Sequence, residues 1–356
     1  MQQPIHTHDF RLAPWKWAAM IILTYVFIAG WLVPLKPGII QVTPDKVVAG
    51  NMARLEVTGY NSNYLKDTSS LRAWLRLSGD TVLQARQMEV RDDRQFTASF
   101  YIPSVFPFRQ EAYPMTLVID DGIEGTSVLP NAVFITPSEV QDTTEMGLWF
   151  TDKIQHVHHQ AGIQFPFRNI LSETIRNTYF HVPMWFCMII LFGASAWNSL
   201  KYYRFGRIDD DTRSVAFIKV GLIFGLLGLV TGMLWAKNTW NAYWSWDVKQ
   251  NMSAIALLIY AALMVMRSSL EDEMQKARLT AGYNMFAFVL LIPLLFIIPR
   301  MTDSLHPGNG GNPALGGEDL DNTMRMVFYP AVIGFVLLGL WMSQLVYRTD
   351  KLKGNL

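Results

Sequence analysis

Two histidines and a tryptophan-rich stretch are the residues of this chain with the clearest capacity for chemistry. The stretch W-N-A-Y-W-S-W-D covers residues 240–247, and His181 and His306 lie on either side of it in the sequence. Imidazole nitrogens bind transition-metal ions, while indole and phenol rings cover flat apolar surfaces. The members of the stretch that matter here are Trp240, Tyr243, Trp244, Trp246 and Asp247.

Six long apolar segments must position these side chains. They lie at about 15–35, 180–200, 215–235, 250–266, 281–299 and 326–346, and a bilayer crossing takes about 20 such residues. The sequence therefore predicts an α-helical membrane protein with six transmembrane helices. The first segment is long and lacks the small-residue pattern of a cleaved signal peptide. A net charge of +1 gives no sign of a nucleic-acid partner, which usually needs a basic patch.

The distribution of lysine and arginine predicts the orientation of the chain, because these residues gather in cytoplasmic loops. With the N-terminus inside, the short outer loops contain only Lys237, Lys249, Arg300 and Arg325. The inner segments contain the larger set: Arg11, Lys16, Lys201, Arg204, Arg207, Arg213, Arg267, Lys276, Arg278, Arg348, Lys351 and Lys353. We therefore predict that both termini are cytoplasmic. Counting loops from there places both histidines and the tryptophan-rich stretch at one outer face.

This juxtaposition predicts a haem site. Only two of the seven histidines, His181 and His306, belong to the helical membrane domain, and histidine is a usual axial ligand to haem iron. Asp247 would orient a ligand or a backbone group, while Lys237, Lys249 and Arg300 would meet the haem propionates. Two simpler interpretations stay open. Tryptophan and tyrosine collect at membrane interfaces in general, and a histidine at the end of a span is often just a hydrogen-bonded interfacial residue.

A soluble region separates the first two spans. Residues 38–137 alternate apolar and polar types between regular turns, which predicts an all-β sandwich. Its opening, I-I-Q-V-T-P-D-K-V-V-A-G-N-M-A-R-L-E-V-T-G-Y-N, resembles immunoglobulin-like domains of the TIG type. Residues 138–179 predict a surface amphipathic helix and helical linker. Its histidines, His156, His158 and His159, form either a solvated polar face or a shared metal site.

These assignments divide the chain into five parts. Residues 1–37 form a cytoplasmic tail and the first span, 180–347 form the other five spans with the tryptophan-rich loop, and 348–356 form a second tail. The two parts between them are the β region and the linker. The single cysteine, Cys187, lies in the second span, so the outer region is predicted to lack disulfides, and thiol–disulfide exchange through C-x-x-C is excluded.

The motifs also resemble a known family. W-N-A-Y-W-S-W-D resembles the WWD motif of the haem-handling proteins of cytochrome c biogenesis, the CcmC, CcmF and CcsA proteins. F-H-V-P-M-W-F at 180–186 and L-H-P-G at 305–308 resemble the two histidine motifs of the CcmC branch. The resemblance implies that His181 and His306 are axial ligands to a non-covalent, transiently bound b-type haem. It implies that the aromatic residues present this haem to a CcmE-like chaperone.

The same resemblance implies a location in the bacterial inner membrane, beside the membrane and ATPase subunits of a maturation complex. The chain has no G-x-x-x-x-G-K-[ST] of its own for nucleotide binding. One alternative is a synthase of the CcsA or CcmF type, which attaches haem to apocytochrome, although this chain lacks the second histidine pair within its spans. Another is a receptor or scaffold that uses the β region. We expect haem delivery rather than a catalysed covalent reaction.

Overall fold

The chain forms a helical unit and a β unit in its computed structural model, which describes residues 13–140, 142–159, 162–306, 316 and 320–353. The β unit is Pro34–Ser172, and the helical unit consists of the described residues on either side of it. Arg11, Pro307 and Gly308, which the sequence analysis used for orientation and for the second histidine motif, lie outside the described residues.

Among the residues that the structure describes, six helical segments are long and apolar enough to cross a membrane, so the prediction of six transmembrane helices is confirmed. The fifth span continues from α5 through a π-helical turn, Pro293–Ile297, into the short helix α6. Such turns inside α-helices change the direction of the side chains that follow and are frequent at functional sites. The helices are α1 Pro14–Leu32, α2 Thr178–Phe205, α3 Ile208–Trp240, α4 Val248–Ser268, α5 Glu273–Ile292, α6 Ile298–Met301 and α7 Asn322–Lys353.

A stripe of glycines lets α2 and α3 approach closely. Its members follow one face of α3, where a β-carbon at any of them would come within 3.0 Å of a neighbouring side chain. Small residues at helix interfaces allow close packing in membranes, where van der Waals contact replaces the hydrophobic effect. The stripe is Gly221, Gly225, Gly228 and Gly232, and the α2 side chains that fill it are Phe192, Met188, Trp185 and His181.

The described residues of the β unit form nine strands in two sheets, so the predicted β region is confirmed. One sheet has the order β1-β3-β7-β6 and the other β2-β9-β8-β4-β5. Apolar residues buried at alternating positions of β3 and β7 join residues of the second sheet in one core. The strands are β1 Gly38–Thr43, β2 Lys46–Val48, β3 Met52–Tyr60, β4 Arg72–Ser78, β5 Thr81–Gln84, β6 Gln87–Val90, β7 Gln95–Tyr101, β8 Tyr113–Asp121 and β9 Gly125–Thr136.

The segment after β9 differs from the predicted amphipathic helix. Its described residues contain two 3-10 helices, Thr143–Phe150 and Ser172–Asn177, with an irregular stretch between them. The physical reason is that side chains of this segment are used by the β unit. Trp149 is fully buried in the β core and donates from Nε1 to the Val105 carbonyl oxygen at 2.8 Å. A surface helix would not place that indole in the core.

The three linker histidines are all exposed. His158 is attached to the sheet, because its Nδ1 lies 2.9 Å from Oδ2 of the buried Asp120. Arg72 extends this attachment by donating to the His156 carbonyl oxygen at 2.6 Å. Within the described part of the chain, no group of three or more His, Cys, Asp or Glu side chains is arranged to hold a metal ion. These contacts therefore explain His158 as an attachment of the linker.

Candidate functional site

His181 occupies the end of the glycine stripe, in the first turn of α2. A β-carbon on Gly232 would lie 2.7 Å from the imidazole Cε1, so only glycine leaves room for the ring there. The indoles of Trp185 and Trp235 meet the imidazole edge-on, with ring centroids 6.2 and 5.7 Å away. The imidazole is therefore held between two helices in one orientation.

The hydrogen bonds of His181 determine which ring nitrogen carries its proton. Nδ1 lies 3.0 Å from the Gly228 carbonyl oxygen and 3.1 Å from the Thr231 hydroxyl oxygen. A carbonyl oxygen can only accept a hydrogen bond, so Nδ1 is the donor. In the neutral imidazole, Nε2 then keeps the lone pair with which histidine binds a metal ion. The helix backbone thus prepares His181 as an Nε2 ligand.

The Nδ1 atom of His306 is also held by a hydrogen-bond acceptor, in this case a carboxylate. Its Nδ1 lies 2.8 Å from Oδ1 of Asp247, whose side chain is nearly fully buried. The edge of the imidazole meets the Trp240 indole, with ring centroids 4.8 Å apart. An ionised carboxylate can only accept, so Nδ1–H donates and Nε2 remains available. Carboxylates in this position fix the ring orientation of metal-binding histidines and raise their basicity.

Asp247 also organises the backbone around His306. As the N-cap of α4 it accepts from the Lys249 N–H at 2.8 Å, and its other oxygen accepts from the Leu305 N–H at 2.7 Å. Burial raises the pKa of the Asp247 carboxyl, but the hydrogen bonds from His306, Leu305 and Lys249 outweigh burial and hold this pKa well below its ordinary value. The Asp247 carboxyl is therefore ionised, and it connects the start of α4 to the loop that carries His306.

Both histidines line one cavity of about 230 Å³. Most of its wall is apolar, and it comes from α2, α3 and the end of the fifth span. The π-helical turn contributes Leu295 and Phe296, and α6 contributes Pro299. An apolar cavity with a few convergent polar groups is the usual form of a small-molecule site.

The tryptophan-rich stretch divides into residues at the cavity and residues outside it. Trp244 lines the cavity, and Trp240 packs on His306. Trp246 is 78% exposed and has a left-handed backbone with a φ of 58°, while Tyr243 is 52% exposed. The predicted platform is thus not a continuous sheet of rings on the cavity wall. Part of it faces away from the described protein interior.

The three candidate cations occupy different environments. Lys249 lines the cavity. Lys237 donates to the carbonyl and side-chain oxygens of Asn241 at 3.1 and 2.9 Å, and it lies over the Tyr243 ring. Arg300 is exposed on α6 and is absent from the cavity wall. Of the three, only Lys249 is in position to meet a ligand inside the cavity.

The donor set of this cavity fits haem. It combines two imidazoles, each with its Nδ1 hydrogen-bonded to a fixed acceptor, with apolar and aromatic walls. Two nitrogen ligands and an apolar surrounding suit the iron and the porphyrin ring respectively. Sequence reasoning missed the glycine stripe that seats His181, although G-L-I-F-G-L-L-G-L-V-T-G at 221–232 carries its spacing.

Comparisons with known proteins agree with this chemistry. A family model described as heme exporter protein C matches residues 154–355, which is more than half of the chain. Heme exporter protein C of Haemophilus influenzae is 23% identical over 182 residues, covering 51% of this chain and 73% of that relative. The protein of the same name from Bradyrhizobium diazoefficiens is 26% identical over 186 residues, covering 51% of this chain and 68% of that relative.

A shorter likeness points to a second group. Cytochrome c biogenesis protein CcsA of Prochlorococcus marinus subsp. pastoris is 38% identical over 94 residues, covering 26% of this chain and 30% of that relative. Most of the β unit lies outside the residues that the family model matches.

Proposed function

Because the chain belongs to the heme exporter protein C family of cytochrome c biogenesis, we propose that it binds haem between His181 and His306 and delivers it to a haem chaperone. Family membership and the six apolar helices together identify a multi-pass bacterial membrane protein with a haem-handling role in cytochrome c maturation. The ligands, the face of the membrane and the receiver of the haem are the parts that we propose.

One observation carries the proposal. Two histidines from distant parts of the sequence line the same cavity, and each donates its Nδ1 proton to a fixed acceptor. Haem bound there supplies an iron centre with two axial positions. The protein's own contribution is to hold two Nε2 lone pairs and to exclude water with apolar walls. The chain has no C-x-x-C-H for thioether attachment, so the proposed haem is held non-covalently, and b-type haem is the form that we propose.

The two ligands differ in how easily they are exchanged. His181 is held between two helices, whereas the His306 side chain is 26% exposed in the loop after α6. We therefore assign His306 as the ligand that a receiving protein displaces first. Trp246 and Tyr243 are exposed and lie close in sequence to Asp247, which holds His306, so they offer an apolar surface to a receiving protein. A CcmE-like chaperone is the proposed receiver, with further membrane and ATPase subunits completing the maturation complex.

The distribution of lysine and arginine supports a location at the outer face of the bacterial inner membrane. With both termini cytoplasmic, the loops that carry the tryptophan-rich stretch and His306 face outward, and so does the β unit. We propose an immunoglobulin-like assignment for this unit from its two-sheet topology. A fold of this kind leaves its role open, and docking of a partner is the role that we propose.

The proposal is tested by following haem between two purified proteins. The chain is purified in detergent, loaded with ferric protoporphyrin IX and mixed with a tagged apo-chaperone. After the two proteins are separated, we expect the haem absorption to leave the chain and to appear on the chaperone. Haem that never binds to the chain would contradict the proposed site. Haem that binds but never leaves would contradict delivery alone.

The 38% identity to a CcsA protein favours a second candidate, a synthase that attaches haem to apocytochrome. Co-expression of this chain with an apocytochrome, without other maturation factors, separates the two. A covalent haem product in that strain would establish the enzyme, and its absence, with haem still bound to the chain, favours delivery.

Removal of the β unit separates a docking role from a haem-binding role. The ends of the unit run side by side, because the Lys36 N–H donates to the Phe165 carbonyl oxygen at 2.8 Å. A short glycine–serine linker from Lys36 to Gln164 therefore replaces the unit, including the segment around Trp149 that packs in its core. We expect haem absorption to survive and transfer to the chaperone to slow by at least tenfold. A folded, monodisperse variant that has lost its haem would contradict this expectation.

A further inference from the structure

The haem cavity has one polar end, formed by the start of α4. Lys249, Gln250 and Ser253 all line the cavity, and Ser253 is a helical neighbour of both, at three residues from Gln250 and four from Lys249. Apart from the two histidines, most of the remaining lining side chains are aromatic or aliphatic. The cavity is therefore built for a ligand that is apolar over most of its area and polar along one edge.

The side-chain amide of Gln250 has a determined orientation. Its Oε1 accepts from the Ser245 backbone N–H at 2.9 Å and from the Ser245 hydroxyl at 3.1 Å. A backbone N–H can only donate, so the amide oxygen must face Ser245 and the amide nitrogen must face away. No described residue accepts a hydrogen bond from that nitrogen. Gln250 is thus a fixed donor on the cavity wall.

Ser253 adds a second donor one turn further along α4. It lines the cavity, and no described residue is hydrogen-bonded to its hydroxyl. Two neutral donors and the Lys249 side chain together favour a carboxylate. The two aliphatic carboxylates of haem lie along one edge of its ring.

We propose that Gln250 and Ser253 recognise the propionate edge of haem and thereby fix how the ring is oriented between His181 and His306. This inference rests on the proposed haem-binding function and deepens it. Neutral donors also suit a cargo that must leave. A hydrogen bond from an amide or a hydroxyl is weaker than a bidentate contact from arginine, and it leaves no unpaired buried cation when the haem has gone.

The test compares two porphyrins that differ only at this edge: ferric protoporphyrin IX and its dimethyl ester. Both are titrated into the detergent-purified chain, and binding is followed by absorption. We expect the wild type to prefer the free acid. The double variant Gln250→Leu, Ser253→Ala should reduce that preference by about tenfold or more, because hydrogen bonds to charged groups contribute about 1.5–3 kcal/mol. Affinity for the ester should change little.

Matched variants separate recognition from folding. Asn238→Leu also replaces an amide by an apolar side chain, but the Asn238 amide donates within its own helix to the Leu234 carbonyl oxygen at 2.9 Å, so the preference should stay at the wild-type level. Gln250→Glu keeps the shape and adds a negative charge. It should weaken binding of the free acid more than binding of the ester.

The outcomes distinguish this inference from the function on which it rests. If the wild type binds neither porphyrin, the proposed haem site is wrong. If it binds both equally, or if the variants keep the wild-type preference, haem binding stands and the propionate assignment is overturned. An equal loss of both porphyrins in Gln250→Leu and Gln250→Glu would show that Gln250 supports the fold of the loop through Ser245, which also overturns the assignment.

Discussion

Haem absorption typical of two axial imidazoles is expected to disappear when either His181 or His306 is replaced by alanine. Each variant removes one of the two proposed Nε2 ligands, both of which line the cavity, so the iron should keep at most one protein ligand. We expect His181→Ala to lower haem retention through purification by at least tenfold, because it removes the ligand that is held between two helices. His306→Ala should keep some haem with an altered, single-histidine spectrum.

The chain provides a matched control for these variants. His158 also has its Nδ1 against a buried carboxylate, Oδ2 of Asp120, at 2.9 Å, but it belongs to the β unit. His158→Ala should therefore leave the haem spectrum unchanged. Added imidazole is small enough to replace a missing side chain and should restore the two-imidazole spectrum of His306→Ala. If both cavity variants keep the wild-type spectrum, the ligand assignment is wrong.

Much of the architecture is predictable from the sequence because membrane constraints are strict. A span needs about 20 apolar residues, and the six such segments are found as six helical spans. Strand alternation in the insert likewise predicts the β region. The number of spans between them is enough to predict that His181 and His306 lie at one face of the membrane. That both side chains line the same cavity depends on how the helices pack, and the order of the loops gives no information about packing.

The closer details depend on contacts between residues far apart in sequence. The glycine stripe of α3 is visible as a spacing, but its meaning requires knowing that α2 lies against it. The tryptophan-rich stretch is a single motif in the sequence, whereas in the structure Trp244 lines the cavity and Trp246, whose ring meets Trp244 edge-on at 6.4 Å, is 78% exposed. The linker pattern indicates a helix, but the fit of Trp149 into the β core outweighs local periodicity.

The polar end of the cavity illustrates the same limit. Gln250 and Ser253 lie in the predicted span at 250–266, where nothing in the sequence alone distinguishes them as ligand-binding residues. Their proposed role follows from the Ser245 contact, which turns the Gln250 amide nitrogen away from Ser245, on a side chain that lines the cavity. Arg300 and Lys237 are more conspicuous in the sequence, yet Arg300 is exposed and Lys237 is used to end α3 at Asn241.

Replacing Asp247 should have the second-largest effect on haem binding. Its carboxylate holds the His306 imidazole at 2.8 Å and the Leu305 backbone N–H at 2.7 Å, so its loss frees both the ring and the loop. Partners of metal-binding histidines typically contribute 10–100-fold to affinity. We expect Asp247→Ala to weaken haem binding by roughly 100-fold and Asp247→Asn by roughly tenfold, because asparagine still caps α4. Titration with ferric protoporphyrin IX measures both.

The charge of Asp247 can be separated from its shape by pH. Its pKa is held below the ordinary value by hydrogen bonds from His306 and from two backbone N–H groups. The stabilisation from this carboxylate is therefore fully present above about pH 4, the ordinary value for aspartate, and is lost only as pH falls through the lower pKa of the folded state. The ratio of wild-type to Asp247→Asn affinity should accordingly be constant between pH 6 and 8.

Asp303→Asn, which changes an exposed carboxylate of the same loop, should match the wild type. A ratio near one at neutral pH would show that His306 binds iron without help from Asp247. His181 would then be the one proposed ligand whose orientation is fixed by its surroundings.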